Sequence, residues 1–241
     1  MSTGEIIQGL WIGPALSVME RLSISSFLAH GHDYHLYVYD DVRGVPAGAV
    51  VKDAGVILPA SMVFQYRDFK SYAGFSNFFR YKLLLDRGGW WADADIVCLR
   101  PFDFDERHVF VFSSELSRGG EEVVNAGVIK SPAGADAMAY AWGTCAAKDA
   151  GRLVWGETGP GLVAETVRRF SLESYVQPPG VFCPVPLFEF EKVVEPGASW
   201  EFGEATRAVH LWHEAWRRVG LDKDRQYHPD CLYERLKRRY L

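Results

Sequence analysis

The sequence predicts a single α/β domain with a mostly parallel central sheet flanked by helices. Two observations support this fold class. Strand-like apolar segments alternate with segments of helical periodicity through the first hundred or so residues, which is the order of βαβ units. The chain of 241 residues, with 48% hydrophobic and 24% charged residues, can bury one sizeable core. We therefore expect residues 1–241 to form one domain.

The N-terminal third contains the first strands of that sheet. Residues 5–12 are rich in Ile, Leu and Trp, and Gly13-Pro14 stops this predicted strand. Helical spacing of apolar residues follows over 16–30. Alternation over 35–39 predicts a second strand, and a further short strand is expected within 50–58. Ligands gather at the carboxyl ends of parallel strands, so the ends of these segments are candidate site positions.

The stretch 71–101 organises the chain. Its first part predicts a helix from Tyr72 to Arg87, which Ser71 caps and Gly88 ends. Within this helix Asn77 and Arg80 lie one turn apart, so their polar ends can meet the same ligand.

A pair of aspartates follows the helix. After Gly88-Gly89 the period changes to two, which places Asp93 and Asp95 on one face of a predicted strand, roughly 6–7 Å apart. Two carboxylates at that distance repel each other unless a positive charge lies between them, and a divalent cation is the usual partner. Asp-x-Asp alone is a weak signal, because solvated loops contain it by chance.

The second half of the chain continues the α/β pattern. Its predicted segments are a strand at 109–112, a polar loop at 113–124, a strand at 125–129, helices at 133–147 and 162–170, an irregular Pro-rich region at 177–197, a short strand at 208–210 and a helix at 227–241. Gly156–Gly161 is glycine-rich and precedes a helix, but it lacks the Lys-Ser/Thr of a phosphate-binding P-loop.

Three motifs occur in a fixed order within about thirty residues: Ser76-Asn77-x-x-Arg80-Tyr81, Gly88-Gly89-Trp90 and Asp93-Ala94-Asp95. Together they resemble the sugar-binding region of glycosyltransferase family 32, which includes bacterial capsule and lipopolysaccharide sugar transferases. The resemblance implies the GT-A nucleotide-sugar-binding fold, with residues 1–112 as the nucleotide-sugar half and residues 113–241 as the acceptor-side half with a C-terminal helix. It also implies metal-dependent, retaining transfer of a sugar to a hydroxyl of a glycan or other acceptor.

The same resemblance implies roles for individual residues. Asp93, Asp95 and His210 would hold Mn²⁺ or Mg²⁺, and Asp93, Asp95 and Arg80 would carry the catalysis. The donor would be a UDP-sugar in preference to a GDP-sugar. The residues expected to bind substrate are Trp11, Gly13, Asn77, Arg80, Tyr81, Gly89, Asn125, Thr158, Gly159, Pro160, Trp212 and Trp216.

For three of these residues, a purely structural role is an alternative to the functional one. Trp11 is either a core residue or a ring that stacks on the nucleotide base. Asn125 is either a turn-forming residue before a strand or a ligand for a sugar hydroxyl. His210 is either a buried structural histidine or a metal ligand. One departure from the family is Asn77, where an aspartate is common; an amide keeps a hydrogen bond but cannot pair with the charge of Arg80.

Net charge and the spacing of the cysteines bear on nucleic-acid binding and on zinc or disulfide sites. The net charge of −5 gives no electrostatic signature for nucleic acid, although residues 217–241 carry eight basic and four acidic side chains and are therefore at +4. The four cysteines show no C-x-x-C spacing, so we expect reduced thiols and no zinc site.

With no visible secretion signal or membrane-span pattern, we expect a cytoplasmic protein. The basic tail is either a packed terminal helix or a peripheral contact with the inner face of a membrane.

Two other functions stay open at this stage. A catalytically inactive sugar- or nucleotide-binding module would keep the fold without the reaction. A phosphatase of the Asp-x-Asp type also uses two such carboxylates, but its motif closes a strand near the start of the chain.

Overall fold

The structure, a computed structural model, describes residues 5–68, 70–198 and 200–241. Its strands are β1 (Ile6–Trp11), β2 (Asp33–Val38), β3 (Val50–Asp53), β4 (Gly89–Ala92), β5 (Ile96–Cys98), β6 (Val111–Leu116), β7 (Glu122–Ser131) and β8 (Ala208–His210). Its helices are α1 (Val18–Ala29), α2 (Ala73–Arg87), α3 (Asp136–Ala146), α4 (Pro160–Arg169), α5 (Pro179–Phe182), α6 (His213–Val219) and α7 (Leu232–Tyr240).

Six strands form the main sheet in the order β3-β2-β1-β4-β7-β6. The pairs β2–β3, β1–β2 and β1–β4 are parallel, whereas β7 runs antiparallel to both of its neighbours. Strands β5 and β8 form a separate antiparallel pair. The predicted α/β class, with a mostly parallel sheet flanked by helices, is confirmed.

Two neighbouring tryptophans on β4 show how both faces of the sheet are covered. Trp90 belongs to an apolar cluster with Phe27 of α1, and Trp91 belongs to another with Phe79 of α2. Side chains alternate between the two faces of a strand, so these adjacent residues serve opposite interfaces. A third apolar cluster joins α6 and α7 to β5 and β8. The predicted helix–sheet–helix layering follows from this division.

Helix α2 lies close to its predicted position. It begins at Ala73, one residue later than expected, and the Ser71 hydroxyl accepts a hydrogen bond from the Ala73 N–H at 3.3 Å. Ser71 therefore satisfies an N-terminal donor from just outside the helix. The helix ends at Gly88, as predicted, where φ is +63°.

The polar loop predicted at 113–124 is wrong. Strand β6 runs to Leu116 and β7 begins at Glu122, so the two strands form a hairpin with a short turn. Its polar side chains bond within the protein: the Ser114 hydroxyl donates to Glu122 Oε1 at 2.9 Å and to the Gln177 carbonyl at 2.6 Å. Strands with satisfied polar side chains lack the apolar pattern that predicts a strand.

The extended strand predicted through Asp93 and Asp95 is also wrong. Strand β4 ends at Ala92, and the Ile96 N–H donates to the Asp93 carbonyl at 3.0 Å, which closes a turn. The two aspartates thus lie in the turn between β4 of the main sheet and β5 of the small sheet. This turn brings both carboxylates to the same end of β4.

The basic C-terminal segment ends in a packed helix. Leu232 and Leu236 of α7 are buried in the third apolar cluster, whereas Arg235, Arg238 and Arg239 are exposed. Within the described ranges, no helix combines the length and the apolar character needed to cross a membrane. Peripheral contact of the exposed arginines with a membrane stays a prediction.

We expect Gly88→Ala to lower the free energy of unfolding by about 2 kcal/mol or more. The residue has φ of +63°, and an added Cβ would lie 2.4 Å from the Ala133 nitrogen. Urea unfolding measures the loss. The control is Gly143→Ala in α3, where a Cβ would meet no described atom within 4 Å; that variant should be neutral or slightly more stable. Equal stability of the two variants would contradict the expectation.

Candidate functional site

A cavity of about 910 Å³ opens at the carboxyl ends of β1 and β4. Its walls come from α2, the turn after β4, the β6–β7 hairpin, the start of α4 and the segment 210–219. Asp93, Asp95 and His210 lie together in this wall. Parallel sheets place ligands at this end of their strands, and sites for small molecules typically measure about 300–1,000 Å³.

Asp93 is fixed by two hydrogen bonds to one carboxylate oxygen. Its Oδ1 accepts from an Arg80 guanidinium nitrogen at 2.6 Å and from the Trp91 indole N–H at 2.8 Å. Arg80 is only 3% exposed, and its guanidinium carbon lies 5.0 Å from the Trp91 ring centroid. A charge-assisted bond of this length holds the carboxylate firmly. In the described part of the chain, no group bonds to Oδ2, so this oxygen is left for a ligand.

Asp95 pairs with His210. Ile96 lies opposite His210 in the β5–β8 pairing, which brings the histidine beside Asp95. Oδ2 of Asp95 accepts a hydrogen bond from the His213 backbone N–H at 2.7 Å and lies 3.2 Å from His210 Nε2. Burial alone would lower the pKa of His210, but the Asp95 carboxylate raises this pKa well above its usual value. The two side chains therefore form a close carboxylate–imidazole pair in the cavity wall.

These side chains fit a divalent cation. Asp93, Asp95 and His210 each offer one ligand atom, and the three atoms lie within 4.8 Å of one another. Two carboxylates and an imidazole suit Mn²⁺, and Mg²⁺ accepts the same oxygens. A cation here would take the place of the Nε2 proton, since a ligating imidazole is neutral. The other ring nitrogen, Nδ1, lies 3.9 Å from Cys183 Sγ, which is a weak partner for its proton.

The polar face of α2 is bound within the protein. Arg80 donates to Asn77 Oδ1 at 2.8 Å, and Asn77 Nδ2 donates to Thr158 Oγ1 at 3.3 Å. The Tyr81 hydroxyl donates to the Thr158 carbonyl at 2.8 Å. Asn77 and Arg80 both line the cavity, as their spacing suggests, but they also bond to each other and fix the loop before α4. The negative charge that balances Arg80 comes from Asp93, so an amide at position 77 suffices.

Asn125 and Gly127 of β7 contact the carboxylate–histidine cluster. Asn125 lies within β7 rather than at its start, and its Oδ1 accepts from the Gly127 N–H at 2.6 Å. The Gly127 carbonyl in turn accepts from the Asp93 N–H at 2.8 Å. A Cβ at residue 127 would lie 3.2 Å from the His210 ring, so glycine lets the imidazole pack closely against β7. A direct bond from Asn125 to a sugar hydroxyl stays a prediction.

Glu115 is a cavity residue that the sequence reasoning missed. It lies half-buried on β6, lines the cavity, and accepts a hydrogen bond through Oε1 from Asn125 Nδ2 at 3.0 Å. A glutamate within a predicted polar loop is expected to be solvated, so the local sequence gives no reason to place it in the site. The alternation of Val123, Asn125 and Gly127 along the sequence is the pattern of a strand. A strand paired with it, here β6, also presents one of its faces to the site.

Two predicted tryptophans line the cavity with their N–H groups satisfied elsewhere. The Trp11 Nε1 donates to the Ala15 carbonyl at 3.1 Å, and the Trp212 Nε1 donates to the Val185 carbonyl at 2.9 Å. Trp212 also stacks on His210 with ring centroids 3.8 Å apart, which fixes the plane of the imidazole. Stacking of Trp11 on a nucleotide base stays a prediction.

Five residues predicted to bind substrate lie outside the cavity wall: Gly13, Tyr81, Gly89, Thr158 and Trp216. Trp216 is fully buried and packs edge-on against Tyr233, with ring centroids 5.0 Å apart. Its predicted contact with substrate is contradicted, because its ring fills the third apolar cluster. Tyr81 and Thr158 support the loop before α4 instead. The cavity does include the other seven, among them Gly159 and Pro160 at the start of α4.

No family model matches this sequence, and the search of curated proteins found no match. Several solved structures are distantly similar. The "PaToxG Glycosyltransferase" is 15% identical, with a TM-score of 0.49 over 70% of this chain and 71% of that one. A chain called "Structure of Transferase" is 10% identical, with a TM-score of 0.47 over 73% and 88%. The catalytic domain of alpha-toxin from Clostridium novyi is 8% identical, with a TM-score of 0.37 over 70% and 64%. With TM-scores below 0.5, function has to be argued from the site itself.

We expect His210→Ala to weaken Mn²⁺ binding by about 100-fold or more. Mutating a residue that only hydrogen-bonds to a metal ligand already lowers metal affinity about 10–100-fold, and His210 would be a ligand itself. Isothermal titration with Mn²⁺ on the folded variant measures this loss. The control is Asp41→Ala, which removes an exposed carboxylate from the turn after β2. Unchanged Mn²⁺ affinity of His210→Ala would leave His210 as a structural partner of Asp95.

Proposed function

We propose that this protein is a metal-dependent glycosyltransferase that moves a sugar from a nucleotide sugar to a hydroxyl of a glycan or other acceptor. The observation that carries the proposal is the cluster of Asp93, Asp95 and His210 in the wall of the 910 Å³ cavity. Three protein ligands leave coordination positions for diphosphate oxygens. The cavity extends from Trp11 to the β6–β7 hairpin, so it offers room on both sides of the cluster.

The reaction breaks the bond between the sugar C1 and the diphosphate oxygen, forms a bond from C1 to the acceptor oxygen, and transfers the proton of the acceptor hydroxyl to the departing diphosphate. Negative charge develops on the departing diphosphate and has to be stabilised. A divalent cation at the cluster would supply this stabilisation as a Lewis acid. Asp93 and Asp95 would hold it, while Arg80 keeps Asp93 in place through Oδ1. We therefore assign Arg80 a positioning role in place of the predicted catalytic one.

The finer assignments follow the sequence resemblance. We propose a GT-A enzyme of the family 32 type that transfers a hexose, with Mn²⁺ favoured over Mg²⁺ because imidazole is a common ligand of transition metals. A UDP-sugar is the favoured donor, with its base against Trp11. Transfer with retention is the simplest course, in which the acceptor attacks from the face that the diphosphate leaves.

The two rival functions fit the site less well. A phosphatase of the Asp-x-Asp type has its motif at the end of a strand near the start of the chain, whereas Asp93 and Asp95 follow the fourth strand, β4. An inactive binding module has no need for a buried carboxylate–histidine pair beside a second carboxylate. Assays of turnover distinguish the three functions: a transferase consumes a nucleotide sugar, a phosphatase hydrolyses a phosphate ester, and a binding module does neither.

We expect one of UDP-glucose, UDP-galactose, UDP-N-acetylglucosamine and GDP-mannose to stabilise the protein in the presence of Mn²⁺. A ligand at 100 times its Kd adds about 2.7 kcal/mol to the free energy of unfolding, which thermal melting detects as a raised Tm. The same donor should be hydrolysed slowly, and EDTA or Asp95→Ala should abolish both effects. The Asp41→Ala variant should behave as wild type. Stabilisation and hydrolysis that persist in EDTA would contradict metal-dependent transfer.

We further expect the anomeric configuration of the donor to be kept in the first product. Proton NMR during hydrolysis of an α-linked UDP-sugar distinguishes the anomers before they equilibrate. An initial β-anomer would show that the reaction inverts and would require a base on the acceptor side.

A further inference from the structure

The β6–β7 hairpin presents one carboxylate to the cavity. Glu115 on β6 lies opposite Val123 on β7, and Asn125 is the next residue on the same side of β7. All three residues line the cavity. Directly opposed and diagonal residues share one face of an antiparallel pair. Glu115 therefore faces the site and not the opposite side of the sheet.

An irregularity in the pairing produces this orientation. Phe112 lies opposite Ile129, but Ser114 lies opposite Val124, so residues 125–128 of β7 stand against one residue of β6. In this stretch β7 has three more residues than β6. Because side chains alternate between the two faces of a strand and three is an odd number, the residues of β7 that share a face with a given residue of β6 change at the irregularity. In an unbroken register Glu115 would point away from Asn125. Bulges of this kind redirect side chains beside active sites.

Glu115 is held through one oxygen. Its Oε1 accepts from Asn125 Nδ2 at 3.0 Å, and Asn125, which is 4% exposed, is itself oriented by the Gly127 N–H bonded to Oδ1. Within the described residues, Oε2 of Glu115 has no hydrogen-bond partner. An oriented carboxylate with one unbonded oxygen is a strong acceptor for a hydroxyl donor.

The order of strands places Glu115 relative to the metal ligands. Asp93 follows β4, Asn125 belongs to the next strand, and Glu115 belongs to the strand after that. Neighbouring strands lie about 4.7–4.9 Å apart, so Glu115 is on the order of 10 Å from β4, on the side away from Trp11. A donor with its base at Trp11 and its diphosphate at the cluster would place its sugar near β7. The acceptor would then lie over β6.

The cavity wall around Glu115 also suits a carbohydrate. Phe188 and Phe190, from the 3-10 helix Leu187–Val194, line the cavity. The Arg118 guanidinium carbon at the hairpin turn lies 6.0 Å from the Phe188 ring, so the hairpin and this helix meet across the opening. Aromatic faces pack against the C–H surface of a sugar, while carboxylates accept its hydroxyls.

We propose that Glu115 binds a hydroxyl group of a carbohydrate acceptor and so positions the acceptor for transfer. The inference rests on the proposed function, since it assigns the acceptor side of the same cavity.

The test compares Glu115→Ala with the control Glu121→Ala, an exposed glutamate at the turn of the same hairpin. Each is assayed with Mn²⁺ and the UDP-sugar that wild type hydrolyses best, against a panel of methyl and p-nitrophenyl hexosides. Loss of a hydrogen bond to a charged group should raise the KM for the glycoside about 10–100-fold in Glu115→Ala. Donor hydrolysis by water and affinity for UDP with Mn²⁺ should fall much less than transfer to the glycoside, because Glu115 reaches Asp93 only through Asn125 and Gly127. Glu121→Ala should match wild type throughout.

An unchanged KM, or a loss of donor hydrolysis as large as the loss of transfer, would overturn the role of Glu115. Wild type that hydrolyses a donor but transfers to no glycoside would contradict a carbohydrate acceptor here. Absence of both nucleotide-sugar binding and turnover in wild type would instead contradict the proposed function itself. If the alanine variant unfolds, Glu115→Gln gives the same comparison, since its amide oxygen can still accept from Asn125 while an NH2 group, which cannot accept a hydrogen bond, replaces Oε2.

Discussion

The buried ion pair between Arg80 and Asp93 is the contact on which the rest of the site depends. A guanidinium that is 3% exposed is costly to bury unless its charge is paired and its N–H groups are bonded. Asp93 supplies the charge and Asn77 supplies a further acceptor, whereas Arg80 Nε has no hydrogen-bond partner among the described residues. The same contact therefore fixes α2 against the turn after β4. Removing Asp93 would leave the charge of Arg80 unpaired in the interior, so this pair supports the fold as well as the site.

Like-charge repulsion explains how the second aspartate is arranged. Asp93 and Asp95 lie in one turn, and each is neutralised by a different part of the chain: Arg80 from α2 and His210 from β8. Neither cation is a neighbour in sequence, so the turn can form in this shape only when both elements have docked. Because these contacts are long-range, the site forms only when the whole domain folds. A bound cation would therefore raise the free energy of unfolding of the domain.

The parts of this site that the sequence predicts are those with a local signature. The periodicity of α2, its end at Gly88 and the spacing of the Asp pair are all readable from neighbouring residues. The hairpin and Glu115 were not predicted, because the polar side chains of β6 find their partners on β7, where no local pattern reveals them. Trp216 was misplaced for a similar reason: a motif gives the order of residues, but the buried partner Tyr233 decides which way the ring points.

The residues of the carboxylate–histidine cluster are synthesised at different times. His213, whose backbone N–H holds Asp95, lies 118 positions after it in the chain. At translation rates of roughly 5–20 residues per second, the Asp pair leaves the ribosome roughly 6–24 s before its partners from β8 and α6 exist. A growing chain thus carries two adjacent carboxylates without the histidine that completes the set. The cluster therefore cannot form while the chain is still being made, and it is complete only when β8 pairs with β5.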